Sequence, residues 1–111
     1  MNVEIYEKAR MVASIRHKDF AKWDDDKKET AICNVVGLSI SRRLAEASTI
    51  RCPEQKLFFA VIDQALNDIT SYTGSGRHSA INFIKSPAFD YYAGMINLDT
   101  EYAREQIKKV L

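Results

Sequence analysis

Apolar residues in the first half of the chain recur at the spacing of amphipathic helices. Residues 3–17 carry an apolar stripe made of Ile5, Val12 and Ile15. In residues 27–47 the apolar positions recur every fourth residue, with two more that widen the face: Ile32, Val36, Ile40, Leu44, Val35 and Leu38. Both patterns follow the 3.6-residue period of a helix that buries one side. We therefore predict helices over 3–17 and 27–47.

Residues 31–41 have a second interpretation, because their composition also suits a strand. They read AICNVVGLSIS, and β-branched residues are enriched in strands. The length of the segment and its four-residue spacing favour the helix, and the strand stays as the alternative. The residues before it, 18–28, form a charged connection whose three aspartates at 24–26 favour a helix start through their carboxylates.

A third helix is predicted over 53–72, with Pro53 in its first turn, where the missing N–H costs nothing. Its apolar band is broad and consists of Leu57, Val61, Ala65, Leu66 and Ile69, with Phe58, Phe59 and Ile62 alongside. A band of this width predicts the central helix of the bundle. The following Gly-Ser-Gly at 74–76 breaks the chain. It separates a bundle part, 1–73, from a C-terminal part, 77–111, within a single domain, 1–111.

The C-terminal part predicts short helices joined by tight turns. One covers 78–85, Ser86 and Pro87 start another that continues to residue 96, and Asp99 or Thr100 caps a last helix that reaches residue 110. Asn97 lies between the last two, and asparagine tolerates the left-handed conformation. The fold class expected for the whole chain is all-α, a compact bundle of five to six helices with a helix-turn-helix-like unit at its C-terminal end.

The last two helices can be aligned with a DNA-binding helix-turn-helix. Asn97 falls where that motif usually has glycine, and Gln106 takes an apolar position one residue before Ile107. The other packing positions are occupied by Ala93, Tyr92, Ile96, Leu98 and Ala103. Such a unit places its second helix in the major groove of double-stranded DNA.

The candidate DNA-binding residues are those expected on the exposed side of this unit. Arg104 is the candidate for a bidentate contact with guanine, because its guanidinium matches the O6 and N7 acceptors. Lys85, Lys108 and Lys109 are candidates for phosphate contacts, and Thr100 lies near the start of the last helix.

Charge supports a different interpretation of the same helix. The chain has sixteen Lys and Arg and fifteen Asp and Glu, a formal net charge of +1, whereas nonspecific DNA binders are usually far more basic. Glu101 and Glu105 would repel a phosphate backbone. On charge alone, this face is a solvated surface with an i,i+4 pair between Glu105 and Lys109.

Catalytic and metal-binding patterns are missing from the sequence. Cys33 and Cys52 have no CxxC or Cys/His cluster around them, so we expect two reduced thiols and no metal. The run GSGRHS at 74–79 lacks the spacing of a phosphate-binding loop. No apolar run has the length of a signal peptide or of a membrane span. We expect a non-catalytic protein without cofactor that acts in the cytoplasm of a cell.

The segments FFAVIDQALNDI and RHSAINFIKSPAFDYYAGMINLDTEYAREQI resemble a group of small phage and prophage proteins. In that group a helix of the form AVIxQAxxD precedes AxxFxxSxxF and a turn similar to GLDPxxVR. The matching residues are Ala60, Val61, Ile62, Gln64, Ala65, Asp68, Ala80, Phe83, Ser86, Phe89, Leu98, Asp99, Ala103 and Arg104. The chain departs from the pattern at Asn97, Thr100 and Ala103, where the group has Gly, Pro and Val. The resemblance implies a mobile genetic element in a bacterial host, and it implies no particular chemistry.

Two functions follow from these observations. The first is a small DNA-binding regulator whose last helix reads a site, with a homodimer compensating for the modest basic surface of one copy. The alternative is a protein–protein module that binds and modulates a host or phage enzyme, including the anti-defence kind. Five Tyr and five Phe suit that role, because aromatic residues are enriched at interface hot spots. Arg104→Ala should affect the first function more, and Tyr91→Ala the second.

Overall fold

A computed structural model describes all residues, 1–111, and helices are its only regular secondary structure. The six α-helices are α1 Val3–Arg16, α2 Asp25–Glu46, α3 Pro53–Thr70, α4 Arg77–Lys85, α5 Pro87–Met95 and α6 Thr100–Lys108. A short 3₁₀ helix, Phe20–Lys22, interrupts the connection between α1 and α2. The all-α fold is confirmed. Residues 31–41 lie inside α2, so the strand alternative for them was wrong.

Side-chain caps account for several helix starts. The Asp24 carboxylate accepts the backbone N–H of Lys27 at 2.8 Å, and the Asp99 carboxylate accepts that of Glu101 at 2.9 Å. Both aspartates satisfy N–H groups that have no partner inside the helix. Ser86 precedes α5 as predicted, but its hydroxyl donates to the carbonyl oxygen of Phe83 at 2.7 Å and caps nothing.

The core forms around α3, which packs against α2, α4 and α5. The predicted stripe of α2 is fully buried: Ile32, Val36, Ile40 and Leu44. Ile62, Leu66 and Ile69 of α3 face it, and the same cluster continues through Phe89 and Ile96 to Ile107. One hydrophobic core therefore includes residues on both sides of the glycine break at 74–76.

Gly37 of α2 allows α3 to approach closely. A Cβ atom at this position would lie 2.6 Å from Oγ1 of Thr70, inside van der Waals contact. The Thr70 hydroxyl is itself fixed, because it donates to the Leu66 carbonyl oxygen at 2.9 Å in the buried interface. A glycine in the interior of a 22-residue helix is therefore explained by packing.

Four residues predicted in the core are exposed. The side chains of Ile15, Leu38 and Leu57 are 76%, 57% and 69% exposed, and Val61 is exposed too. Ile15 is exposed because the side of α1 that is buried where it packs against α2 carries Ala9 and Ala13. The others lie beyond the part of α2 or α3 that neighbouring helices cover. The sequence therefore contains more apolar surface than this fold buries.

No helix in the structure combines the length and the apolar character needed to cross a membrane.

Candidate interaction surfaces

The connection between α5 and α6 has the backbone expected from the sequence. Asn97 has a φ of 53° and is the one residue other than glycine with a positive φ. Its backbone N–H donates to the Gly94 carbonyl oxygen at 3.2 Å, and that of Leu98 donates to Ala93 at 2.9 Å. The turn residues that were predicted to pack, Ile96 and Leu98, are buried. The two helices are thus joined by a short and well-satisfied turn.

The guanidinium of Arg104 makes hydrogen bonds and an ion pair within the protein. Its Nε donates to the Ile84 carbonyl oxygen at 3.0 Å, and its Nη2 donates to that of Ser86 at 3.4 Å. The same Nη2 lies 2.8 Å from Oδ1 of Asp90, and the guanidinium lies 5.2 Å from the centre of the Phe89 ring. Arg104 therefore joins α6 to the end of α4 and the start of α5. A bidentate contact with guanine would have to break these bonds.

The other four candidate residues do not form one cationic face with Arg104. Lys85 is exposed and lies in sequence between Ile84 and Ser86, the two residues whose carbonyls accept hydrogen bonds from Arg104. Lys108 is exposed one helical turn after Arg104. Thr100 is half-buried at the first position of α6. Lys109 lies elsewhere: its Nζ is 3.5 Å from Oε1 of Gln106, and its carbonyl oxygen accepts the N–H of Asn2.

The exposed side of α6 carries both signs of charge. Glu101 and Glu105 are exposed there with Lys108, and the predicted Glu105–Lys109 ion pair is not formed. Asp99 and Glu101 lie at the N-terminal end, which a recognition helix directs toward the bases. Carboxylates at that end oppose the approach of a phosphate backbone.

An exposed apolar surface lies between α3 and α5. We call it the α3/α5 patch; it comprises the half-buried Phe58 and four exposed residues of the two helices, Leu57, Val61, Tyr91 and Met95. Tyr91 is 61% exposed, and its ring meets that of Phe58 edge-on with a centroid distance of 6.0 Å. Gln55 connects the two helices nearby, with its Nε2 3.5 Å from the Met95 carbonyl oxygen.

Aromatic side chains continue from this patch into the core. Tyr92 lies 5.4 Å from Phe58 and 5.7 Å from Phe83 between ring centroids, and Phe83 lies 5.9 Å from Phe89. The rings thus connect the exposed Tyr91 to the ring beside Arg104. The sequence indicated Tyr91 as an interface candidate, but Leu57 and Val61 were expected in the core and are instead exposed.

Three of the four titratable groups with shifted pKa values, Tyr6, Cys33 and Tyr72, are influenced by the Glu29 carboxylate. Burial raises the pKa of the Cys33 thiol, and the nearby Glu29 carboxylate adds to the effect. The pKa of Tyr6 is raised mainly because its phenol donates a hydrogen bond to Glu29. Hydrogen bonding to Asp26 raises the pKa of Tyr72 in the same way. No group of three or more His, Cys, Asp or Glu side chains is arranged to hold a metal ion.

No protein-family model, no curated protein and no solved structure matches the chain.

Proposed function

We propose that this chain is a non-catalytic binding module whose α3/α5 patch contacts a partner protein. The single observation that carries the proposal is the exposure of Tyr91, whose ring packs against Phe58 of the neighbouring helix α3. The resemblance to small phage and prophage proteins makes a bacterial host or phage enzyme the partner we expect. Binding would modulate that enzyme.

The chemistry of the patch is typical of an interface centre. Aromatic residues and Met are enriched at protein interfaces, and exposed apolar clusters on small domains frequently mark interaction sites. The Tyr91 ring lies against Phe58 and Tyr92, with centroids 6.0 and 5.9 Å away. A side chain held in this way loses little conformational entropy when a partner covers it.

DNA binding is the second candidate, and the turn at Asn97 with its capped α6 is the observation that favours it. It is weaker because Arg104 is occupied and Glu101 and Glu105 are exposed on α6. A regulator of this kind would rely on Lys85 and Lys108 for phosphate contacts, and on a homodimer for sufficient affinity.

Site-specific photo-crosslinking tests the protein-binding proposal. Tyr91 is replaced by a photoreactive phenylalanine derivative in the full chain, which is expressed in the bacterial cells that encode it. Glu7, exposed on α1, receives the same replacement as the control. We expect a discrete protein adduct from position 91 that disappears when Leu57→Ser is added. The same adducts from both positions would contradict the proposal.

Fluorescence anisotropy tests the second candidate with duplexes from the genomic neighbourhood, at low and at physiological salt. Lys108→Ala is a better probe than Arg104→Ala here, because Arg104 has structural contacts whose loss would confuse the result. Saturable binding that falls steeply with salt and is weakened by Lys108→Ala but not by Tyr91→Ala would establish DNA binding instead.

A further inference from the structure

A groove between α1 and α2 lies apart from the α3/α5 patch. It consists of two adjoining concavities of about 360 and 240 Å³, which share Val12, Val35, Ser39 and Arg43. Apolar side chains from both helices line it, among them Ile5, Val36 and Leu38. Leu38, more than half exposed, is one of the residues that the fold leaves outside its core.

The edges of the groove are cationic. Five basic side chains line it, Lys8, Arg16, Arg42, Arg43 and Lys109, against two acidic ones, Glu4 and Glu46. Glu4 is already paired with Lys8 at 3.1 Å. Arg16 and Arg42 have no hydrogen-bond or ion-pair partner in the protein. A further concavity that shares Arg16, Val35 and Leu38 with the groove carries Asp24 and Asp26 against Lys27. The whole chain has a formal charge of only +1, so the excess of positive charge is local to the groove formed by α1 and the C-terminal half of α2.

We infer that this groove binds an acidic amphipathic helix of a partner protein. Its apolar floor would receive side chains spaced i, i+3, i+4 and i+7, and the cations at its edges would meet Asp and Glu on either side of that stripe. This site is separate from the α3/α5 patch and does not depend on that patch binding a protein.

A helix suits the groove better than an extended peptide. The groove is made of two helices whose backbone groups are paired within themselves, so an extended peptide would find no backbone partners there. A helical segment satisfies its own backbone and needs only apolar and ionic contacts. The 14 residues of α1 span about 21 Å, which matches an occupant of roughly 14 residues.

The test uses the full chain and a synthetic fluorescein-labelled peptide of about 15 residues with Leu on one helical face and Glu on the rest. Its control is a peptide of identical composition in scrambled order, which retains the charge but loses the apolar stripe. Anisotropy titrations at low salt compare Arg42→Glu and Leu38→Ser with a matched charge reversal, Arg51→Glu, outside the groove. All three residues are exposed, so circular dichroism should show an unchanged fold.

We expect saturable binding of the amphipathic peptide that weakens about tenfold with Arg42→Glu or Leu38→Ser and stays within about twofold with Arg51→Glu or Tyr91→Ala. Four results would overturn the inference: no saturation at millimolar peptide, equal affinity for the scrambled peptide, equal weakening by Arg51→Glu, or tighter binding of a DNA duplex that Arg42→Glu abolishes. The last result would assign the groove to nucleic acid.

Discussion

The guanidinium of Arg104 lies 2.8 Å from the carboxylate of Asp90, and the two residues connect α6 to α5. Both side chains are at least one-third exposed, so the ion pair itself stabilises the fold little. The bond from Arg104 Nε to the Ile84 carbonyl matters more, because a carbonyl in the last turn of a helix has no partner within it. The Ser86 carbonyl already accepts the backbone N–H of Phe89 at 3.2 Å. Arg104 therefore stabilises the packing of α6 against the end of α4 and the start of α5.

Arg104→Ala should lower the free energy of unfolding by about 1–3 kcal/mol, since it leaves the partly buried Ile84 carbonyl without a donor and removes the contact with Phe89. Urea denaturation followed by circular dichroism measures the change. Lys108→Ala is the control: it is exposed one turn later and should stay within about 0.5 kcal/mol of the wild type. Equal stability of the two variants would show that the Arg104 contacts contribute nothing.

Two glycines in helices should respond to alanine in opposite directions. Gly37→Ala should destabilise the protein by about 1 kcal/mol. Overpacking against Thr70 costs about 1–3 kcal/mol, and the higher helix propensity of alanine offsets about 1 kcal/mol of that cost. Gly94→Ala, with no atom within 4 Å of the added Cβ, should stabilise it by up to about 1 kcal/mol. Thermal melts of both variants test this, and a stabilising Gly37→Ala would show that α2 and α3 separate easily.

The positive φ of Asn97 predicts the ranking of its substitutions. Asn97→Ala should cost about 1 kcal/mol, because a Cβ without a compensating polar group is disfavoured in the left-handed region. Asn97→Gly should be neutral or slightly stabilising, since glycine adopts this conformation freely. Chemical denaturation distinguishes the two, and an alanine variant as stable as the glycine variant would mean that the turn relaxes to another conformation.

The sequence predicted the helices well because local signals decide them. Asp24, one of the three aspartates expected to favour the start of α2, caps that helix, and Asp99 rather than Thr100 caps α6. Pro53 and Pro87 begin helices, and Asn97 adopts the left-handed turn. Each of these choices depends on a few neighbouring residues. The pattern along one helix therefore suffices to locate it.

Burial and side-chain partners were less predictable, because they depend on which helices become neighbours. The stripe of α2 was correctly assigned, but Leu38 on the same helix is exposed, since no other helix covers that side. Arg104 was expected to be available to DNA, whereas its acceptors belong to α4 and α5, which are far away in sequence. The α3/α5 patch and the α1/α2 groove could not be foreseen for the same reason.

Alkaline pH should reveal the hydrogen bond between Tyr6 and Glu29. The folded state holds the pKa of Tyr6 above its usual value near 10, so the unfolded chain loses the phenolic proton first as pH rises. The stabilisation is thus complete at neutral pH and is lost as pH increases through 10 and the raised folded pKa. Tyr6→Phe should lower stability by about 1 kcal/mol at pH 7.

The difference in stability between wild type and Tyr6→Phe, followed by urea denaturation from pH 7 to 11, isolates this effect from that of Tyr72. We expect the difference to shrink above pH 10. A constant difference would mean that Tyr6 acts through packing rather than through its proton.

Substitutions at two apolar positions of α2, Leu38 and Ile40, should differ sharply in their effect on stability. Ile40 is fully buried and Ile40→Ala should cost about 2–5 kcal/mol, because it leaves a cavity between helices. Leu38→Ser should change stability by no more than about 0.5 kcal/mol, since its side chain is mostly in solvent. If Leu38→Ser proved as costly as Ile40→Ala, Leu38 would belong to the core and the groove beside it would be closed. If Leu38→Ser leaves stability unchanged but weakens binding of the acidic amphipathic peptide, then Leu38 contributes to binding and not to folding.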